Sequence, residues 1–262
     1  MPAGGAGPSA GPLTRAVAGV RPLFAHWRRR AGGRCVVCRG WCDGGLCPCC
    51  AARFATARPR CTGCALPLLL LHPPAAPADD GDLRCVRCRL APPPWSRAVA
   101  GVDYGYPWDR QLAELKFHQR LEPLAALLQP LLARLHDVRG TDLRVVAVPL
   151  SRERLRERGY NQSWELARRL ARALALDTRA DALFRARDTG HQLGLHRDAR
   201  GANLQGAFVV MPRHAAWVRG ARIALVDDVL TTGATAHAAV RTLRAAGARE
   251  VQVWVVARTP ES

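Results

Sequence analysis

The sequence predicts an α/β protein, with a parallel sheet that has helices on both faces and a small cysteine-rich module before it. Two observations carry this prediction. From residue 98 onward, short β-branched runs alternate with amphipathic helical patterns, which is the order typical of a parallel sheet. All ten cysteines, by contrast, lie between positions 35 and 88. The chain is therefore expected to comprise an N-terminal extension (1–34), a cysteine-rich module (35–92) and a larger domain (95–262).

The elements of the larger domain follow from its apolar periodicity. Runs such as Val145-Val-Ala-Val148 mark buried strands, and apolar residues that recur every three or four positions mark helices, with Lys116 near the inner edge of the first one. In chain order, the patterns predict a strand over 98–106, helices over 109–119 and 122–136, a strand over 145–149, a helix over 161–174, a strand over 223–226, a helix over 234–246 and a strand over 251–257.

The composition favours a folded chain outside the membrane. Hydrophobic residues make up 48% of the 262 residues, which excludes an intrinsically disordered protein. No apolar run reaches the length of a membrane span, and the basic cluster at 28–30 follows the nearby apolar segment instead of preceding it as in a signal peptide. The protein is therefore expected to be cytoplasmic, with no membrane insertion.

The charge of the chain is strongly basic. Its formal charge is +18, from 39 basic and 21 acidic residues. Arginine dominates, and its planar guanidinium group can bind two phosphate oxygens at once. The excess predicts polyanionic ligands, nucleic acid included. The alternative is a GC-rich coding bias, because Arg, Ala, Gly and Pro are abundant together.

Eight of the cysteines form C-x-x-C pairs with the spacing of metal ligands. Each C-x-x-C turn directs two thiolates at one centre, and two such turns complete a tetrahedral shell of four sulfur atoms for zinc. In a cytoplasmic chain, metal binding is more common than disulfides. The predicted zinc ligands are Cys35, Cys38, Cys47 and Cys50 in a first set and Cys61, Cys64, Cys85 and Cys88 in a second.

Other arrangements of these cysteines remain open at the level of sequence. Pairing of neighbouring turns is favoured over a cross-braced arrangement that joins the first turn of each set. Cys42 and Cys49 are left over, as free thiols or as substitutes for a named ligand. Reduced or redox-active thiols without metal are the further alternative. With few large apolar residues, the module would draw much of its folding free energy from metal.

The segment 224–235 carries the clearest chemical pattern of the chain. An apolar strand runs into two adjacent acids, and a Thr/Gly loop then leads into a helix. Backbone N–H groups of such a loop and of the helix N-terminus form an anion cradle, and carboxylates at a strand's carboxyl end suit vicinal hydroxyls. The alternative is a chance acid pair before an ordinary turn. The predicted ribose 5-phosphate site comprises Asp227, Asp228, Thr231, Thr232, Gly233, Ala234 and Thr235.

Two further stretches are candidates for contact with a ligand. The arginine-rich residues 148–162 join a strand to a helix on the same side of the sheet as Asp227, and a solvated helix with Arg/Glu pairs is the alternative interpretation. The polar residues 192–208 predict a mobile flap, with a plain surface loop as the alternative. The candidate residues are Ser151, Arg152, Arg158 and Asn161 in the first stretch and Arg197 and Arg200 in the flap.

These motifs resemble a known family. The stretch Val226-Asp-Asp-Val-Leu-Thr-Thr-Gly-Ala-Thr235 resembles the phosphoribosyl-pyrophosphate (PRPP) signature of type I phosphoribosyltransferases. Together with the C-x-x-C pairs, Leu115-Lys-Phe117, Val148-Pro-Leu-Ser151 and Arg158-Gly-Tyr-Asn-Gln162, it is similar to the ComF family over residues 35–258. The chain departs from the family at two places. Tyr160 stands where the family usually has Phe. After Lys116-Phe117 the family often has a small residue or Gly, whereas this chain continues with His118-Gln-Arg120.

The resemblance implies a type I phosphoribosyltransferase-like domain after a zinc module. It also implies PRPP with Mg²⁺ as ligand, and single-stranded DNA and DNA-uptake proteins of natural transformation as partners. Asp227 and Asp228 would hold the ribose hydroxyls, the loop from Thr231 to Thr235 the 5′-phosphate, and the residues from Ser151 to Arg158 the pyrophosphate. The alternatives are a non-catalytic single-stranded-DNA-binding factor or a PRPP sensor. In the first case Trp41 and Trp95 would be exposed and stack on bases, and the other interpretation of these two residues is that they pack inside their modules.

Overall fold

The computed structural model describes residues 33–69, 83–118, 120–186 and 206–260. The flap residues Arg197 and Arg200 lie outside these ranges. In chain order, the elements are β1 (Gly33–Arg34), β2 (Trp41–Cys42), α1 (Pro48–Phe54), α2 (Val86–Leu90), β3 (Arg97–Asp103), α3 (Trp108–Phe117), α4 (Leu124–Arg134), β4 (Arg144–Ala147), α5 (Arg152–Arg158), α6 (Gln162–Leu174), β5 (Asp177–Thr178), β6 (Leu183–Arg185), β7 (Phe208–Val210), α7 (Ala215–Val218), β8 (Arg222–Leu230), α8 (Ala234–Ala245) and β9 (Glu250–Arg258).

A five-stranded sheet forms the centre of the fold, in the order β3-β9-β8-β4-β5. All four strand pairings are parallel. Alternate residues along the strands belong to two separate hydrophobic cores, since successive side chains of a strand point to opposite faces. Val145 and Trp254 pack on one face with residues of α3, α4 and α6, whereas Val146 and Val253 pack on the other with α8. The predicted fold class, a parallel sheet with helices on both faces, is confirmed.

Two elements differ from the predicted pattern. β8 continues four residues beyond the predicted end of its strand, because β9 goes on pairing with it as far as Leu230 and Arg258. Residues 152–158, predicted as a loop with a solvated helix as the alternative, form the helix α5. Ser151 caps α5, accepting a hydrogen bond on Oγ from the Arg154 N–H at 3.3 Å, and Gly159 ends it in the left-handed region at φ 73°.

The cysteine-rich residues attach to the larger domain at two places. Around Cys35 and Cys50, the chain packs into the core that α3 and α4 share, and the Trp108 indole donates to the carbonyl of Phe54 at 2.8 Å. The residues around Cys64 contact the other side, where Trp95 donates from Nε1 to the carbonyl of Gly63 at 2.6 Å. The domain boundaries stay predictions. No helix in the described ranges is both long and apolar enough to cross a membrane.

Candidate functional site

The acid pair lies where β4 and β8 separate. β4 pairs with β8 only as far as Val226, whereas β9 pairs with β8 through Leu230. Asp227 and Asp228 therefore lie inside β8, not beyond its end as the sequence pattern predicted, but they follow the last residue that β4 covers. The second helix after β4, α6, packs on one face of the sheet, and the helix after β8, α8, packs on the other, so this crevice is a topological switch point, where open α/β sheets bind ligands.

Asp227 is held by one of its two carboxylate oxygens. Its Oδ1 accepts hydrogen bonds from the Ser163 hydroxyl and from the backbone N–H of Asp228, both at 2.9 Å. Burial raises the pKa of Asp227 to about 7, and repulsion from the neighbouring Asp228 adds to this effect. The carboxyl of Asp227 is therefore poised to change its charge near neutral pH.

Asp228 is held in the same way from the other side. Its Oδ2 lies 3.0 Å from Nζ of Lys116 and accepts a hydrogen bond from Nε2 of Gln162 at 3.2 Å. Within the described part of the chain, Oδ2 of Asp227 and Oδ1 of Asp228 accept no hydrogen bond, and Gln162 Oε1 is buried without a partner. Each carboxylate thus has one fixed oxygen and one oxygen available to a ligand.

The loop after β8 has the geometry of an anion site. Gly233 has φ 83°, and a Cβ there would lie 3.4 Å from the Trp95 ring and from His237 Nδ1, so only glycine fits easily. Among the described residues, the N–H groups of Thr235 and Ala236 find no backbone acceptor. They open the 12-residue helix α8, where the helix dipole favours an anion. The adjoining pocket is lined by Asp227, Thr231, Gly233, Ala234 and Thr235, among others.

The residues of the predicted pyrophosphate loop have structural duties of their own. Asn161 caps α6, since its Oδ1 accepts from the Ser163 N–H at 3.0 Å, and its Nδ2 donates to the carbonyl of Val148, also at 3.0 Å. Ser151 caps α5. The Arg152 and Arg158 guanidinium groups stack on aromatic rings, 5.4 Å from the centre of Phe184 and 5.5 Å from that of Phe117. Contact between these four residues and a ligand stays a prediction.

The structure also shows contacts of the acid pair that the sequence pattern missed. Ser163 gave no signal at all, and Gln162 stood only as the last letter of a resembling motif. Lys116 was placed near the inner edge of its helix, but its contact with Asp228 was not foreseen. Trp95, proposed as an exposed base-stacking residue, is instead 5% exposed and packs against His237, with the ring centres 4.6 Å apart. Trp41 is 75% exposed, as that hypothesis needs.

The cysteines form two clusters with the sequential pairing. In each, the four sulfur atoms lie within 4.8 Å of one another; the members are Cys35, Cys38, Cys47 and Cys50 in the first cysteine cluster and Cys61, Cys64, Cys85 and Cys88 in the second.

The sulfur spacing in both clusters fits zinc. Cys38 and Cys47 have their sulfur atoms 3.7 Å apart, and Cys64 and Cys85 have theirs 3.8 Å apart. Zinc–sulfur bonds of about 2.3 Å place the corners of a tetrahedron about 3.8 Å apart. A disulfide needs about 2.05 Å, and all ten cysteines are free thiols. Both clusters could therefore hold a metal ion.

One thiol in each cluster is readily ionised. Burial opposes ionisation of Cys35, but N–H groups including that of Cys47, at 3.4 Å, outweigh it and lower the Cys35 pKa to about 6. In the same way, the N–H of Cys85 at 3.2 Å helps to lower the pKa of Cys61 to about 7 against the effect of burial. Burial raises the pKa of Cys64 to about 12. A bound divalent cation would neutralise the thiolates and so allow all four buried sulfur atoms of a cluster to be ionised together.

Known proteins share sequence with this chain over one domain and over most of its length. Residues 161–262 match the family model described as "Phosphoribosyl transferase domain". The chain is 37% identical over 239 residues to the DNA utilization protein YhgH of Escherichia coli K12, covering 87% of this chain and 97% of that protein. It is 30% identical over 234 residues to Competence protein F of Haemophilus influenzae, covering 86% and 96% respectively. A solved glutamine PRPP amidotransferase from B. subtilis aligns over 55% of this chain and 30% of its own, at 18% identity and a TM-score of 0.35, too low to support any argument.

Proposed function

This chain belongs to the ComF family, and from that premise we propose that it binds PRPP with Mg²⁺ at the carboxyl edge of β8 and transfers the 5-phosphoribosyl group to an acceptor. One observation carries the proposal. Asp227 and Asp228 each hold one oxygen against the protein and leave the other without a hydrogen bond, and Asp227 lines the same pocket as the loop after β8. Two carboxylates next to a phosphate cradle match the vicinal hydroxyls and the 5′-phosphate of a ribose.

Each group of residues has a distinct role in the proposed reaction. The bond from C1 to pyrophosphate breaks, the pyrophosphate departs with the electron pair, and a nucleophile of the acceptor bonds to C1. The loop from Thr231 to Thr235 holds the 5′-phosphate, and the two aspartates orient the ribose hydroxyls. Arg152 and Arg158 stabilise the departing charge. Losing one such electrostatic contact costs about 10²–10³ in rate.

Mg²⁺ fits the donor set at this site. Carboxylate and amide oxygens are ligands that this cation accepts, and Asp227 Oδ2, Asp228 Oδ1 and the buried Gln162 Oε1 are candidates. When bound, the ion would neutralise charge on the pyrophosphate. Lys116 meanwhile offsets part of the negative charge of the acid pair when no cation is present.

Thermal unfolding with and without PRPP and Mg²⁺ tests the proposal. A ligand that binds only the folded state raises the melting temperature by mass action. We expect the double variant Asp227→Asn, Asp228→Asn to lose this shift. The matched control is Asp137→Asn with Asp142→Asn, two exposed acids outside the crevice. A double variant at 227 and 228 that keeps the full shift would refute the ribose assignment.

Release of pyrophosphate separates catalysis from sensing. Labelled PRPP, Mg²⁺ and candidate acceptors, DNA included, are incubated with the protein. Acceptor-dependent release identifies a transferase. Binding without release under every condition would support the PRPP sensor instead.

We further propose a role in DNA uptake, with single-stranded DNA as a partner. The names of the relatives, DNA utilization protein and Competence protein F, motivate it. The charge of +18 and the exposed Trp41, with the Arg34 guanidinium 5.4 Å from its ring centre, offer a surface for phosphates and bases. We also propose zinc in both cysteine clusters and a cytoplasmic location, where cysteines stay reduced.

A further inference from the structure

A buried arginine joins the second cysteine cluster to the anion-binding loop. Arg258, at the end of β9, is only 4% exposed. Its Nε donates to the carbonyl of Cys64 at 2.8 Å. Its Nη1 donates to the carbonyls of Leu230 and Thr231, at 2.9 and 2.8 Å. One rigid guanidinium group therefore spans a cysteine of the cluster and the first peptide units of the loop.

These hydrogen bonds set the direction of the loop's donors. In a trans peptide, the C=O and the N–H point to opposite sides. Since the carbonyl of Thr231 points at Arg258, the N–H of Thr232 points away from it. Arg258 thereby fixes which way the peptide units at the start of the loop face, a few residues before the Thr235 and Ala236 N–H groups that an anion would contact.

A second side chain runs parallel to this connection. Trp95 donates from Nε1 to the carbonyl of Gly63, inside the Cys61-x-x-Cys64 turn. The far end of its ring lies 3.4 Å from where a Cβ of Gly233 would be. The turn itself is tight, because a Cβ on Gly63 would lie 2.9 Å from the Cys88 sulfur. A change in the positions of the four sulfur atoms would thus move both carbonyls that hold Trp95 and Arg258.

We propose that Arg258 is a positioning residue that couples metal occupancy of the second cysteine cluster to the shape of the anion-binding loop, and so to the affinity for PRPP. The last step rests on the proposed function. With zinc bound, the turn holds the Cys64 carbonyl against Nε of Arg258, and the loop is pre-formed. Without zinc, the turn relaxes and the loop loses its support. The coupling is reciprocal, so PRPP in turn tightens zinc.

Hydrogen exchange of two backbone amides measures the loop without any ligand. The His237 N–H bonds to the carbonyl of Gly233, and the Thr259 N–H to that of Leu230, so both report on loop opening. Because a hydrogen bond from a charged donor is lost, we expect Arg258→Lys to speed exchange at both sites about ten-fold or more, with zinc content unchanged. Cys88→Ser, which removes a zinc ligand, should do the same.

The control is Arg60→Lys. Arg60 is equally buried, adjoins Cys61 and bonds to the carbonyl of Ala65 and to Asp103, but it does not contact the loop. We expect it to leave both amides unchanged. The Cys88→Ser and Arg258→Lys effects should not add in the double variant, because both act through one connection. If Cys88→Ser does not fold, Arg258→Lys alone decides.

Calorimetry with PRPP and Mg²⁺ on the same proteins separates the coupling through Arg258 from the proposed PRPP-binding function. We expect Arg258→Lys to weaken PRPP about ten-fold and Arg60→Lys to leave it unchanged. Unchanged exchange in Arg258→Lys, or additive effects with Cys88→Ser, would overturn the coupling even if PRPP binds. If exchange is faster in Arg258→Lys but the wild-type protein does not bind PRPP, the result would support the coupling and refute the proposed function.

Discussion

Nζ of Lys116 lies 3.0 Å from Oδ2 of Asp228, and this ion pair links the end of α3 to the acid pair of β8. The ammonium group also acts on Asp227, whose pKa it lowers against the larger effects of burial and of Asp228. Lys116 therefore contributes to keeping the acid pair ionised at neutral pH.

Replacing Lys116 with Met should raise the pKa of Asp227 further, because a stabilising positive charge is removed. If PRPP with Mg²⁺ binds best to the ionised pair, its affinity at pH 7 should fall, and the midpoint of the affinity against pH should move upward. Calorimetric titrations from pH 6 to pH 8.5 measure both. Lys116→Arg, which keeps the charge, should stay close to wild type, and a midpoint that does not move in Lys116→Met would contradict this role.

The free energy of unfolding should depend on pH through the titration of Asp227. Its pKa rises from 3.8 to about 7 on folding, so below about pH 7 the folded state binds more protons at this site than the unfolded state does. Stability from this group is therefore present at low pH and is lost as the pH rises toward 7. We expect Asp227→Asn to gain stability relative to wild type as the pH rises from about 4 to about 7, and to keep a constant advantage above pH 7, as measured by urea unfolding. A difference that is already constant from about pH 4 to about pH 7 would mean that Asp227 titrates elsewhere.

Elemental analysis tests the two cysteine clusters. Protein purified under reducing conditions should carry about two zinc ions per chain, since each cluster supplies four thiolates. Cys50→Ser and Cys88→Ser should each lower the count by about one. Cys49→Ser is the control, because Cys49 is exposed and belongs to neither cluster. A wild-type protein without zinc would leave the clusters as plain thiols.

Binding of single-stranded DNA should depend on Trp41. Stacking on a base contributes about 1–3 kcal/mol, so Trp41→Ala should weaken binding of a fluorescent oligonucleotide at least several-fold. The affinity should also fall steeply with salt, as condensed counterions are released. Leu90→Ala removes another exposed apolar side chain and should have little effect. Absence of binding at low salt would leave a small-molecule enzyme or sensor.

The sequence predicted those sites whose residues lie next to one another along the chain. The acid pair with its loop and the C-x-x-C turns each lie within a few residues, so spacing alone was informative. Ser163, by contrast, contacts Asp227 from 64 residues away, and no local pattern marks which hydroxyl will do so. Trp95 was misread for a similar reason: its partners Gly63 and His237 become neighbours only when the sheet is complete.

The central position of β9 has a consequence for biosynthesis. This strand pairs with β3 on one side and β8 on the other, and Arg258 at its end contacts Cys64 from 194 residues away. At about 5–20 residues per second, a ribosome would finish β9 roughly 10–40 s after the cysteine turns. The sheet cannot close before then, so the thiols emerge long before the scaffold that holds them. The nascent thiols would need protection from oxidation during that interval, and metal bound at that stage would supply it.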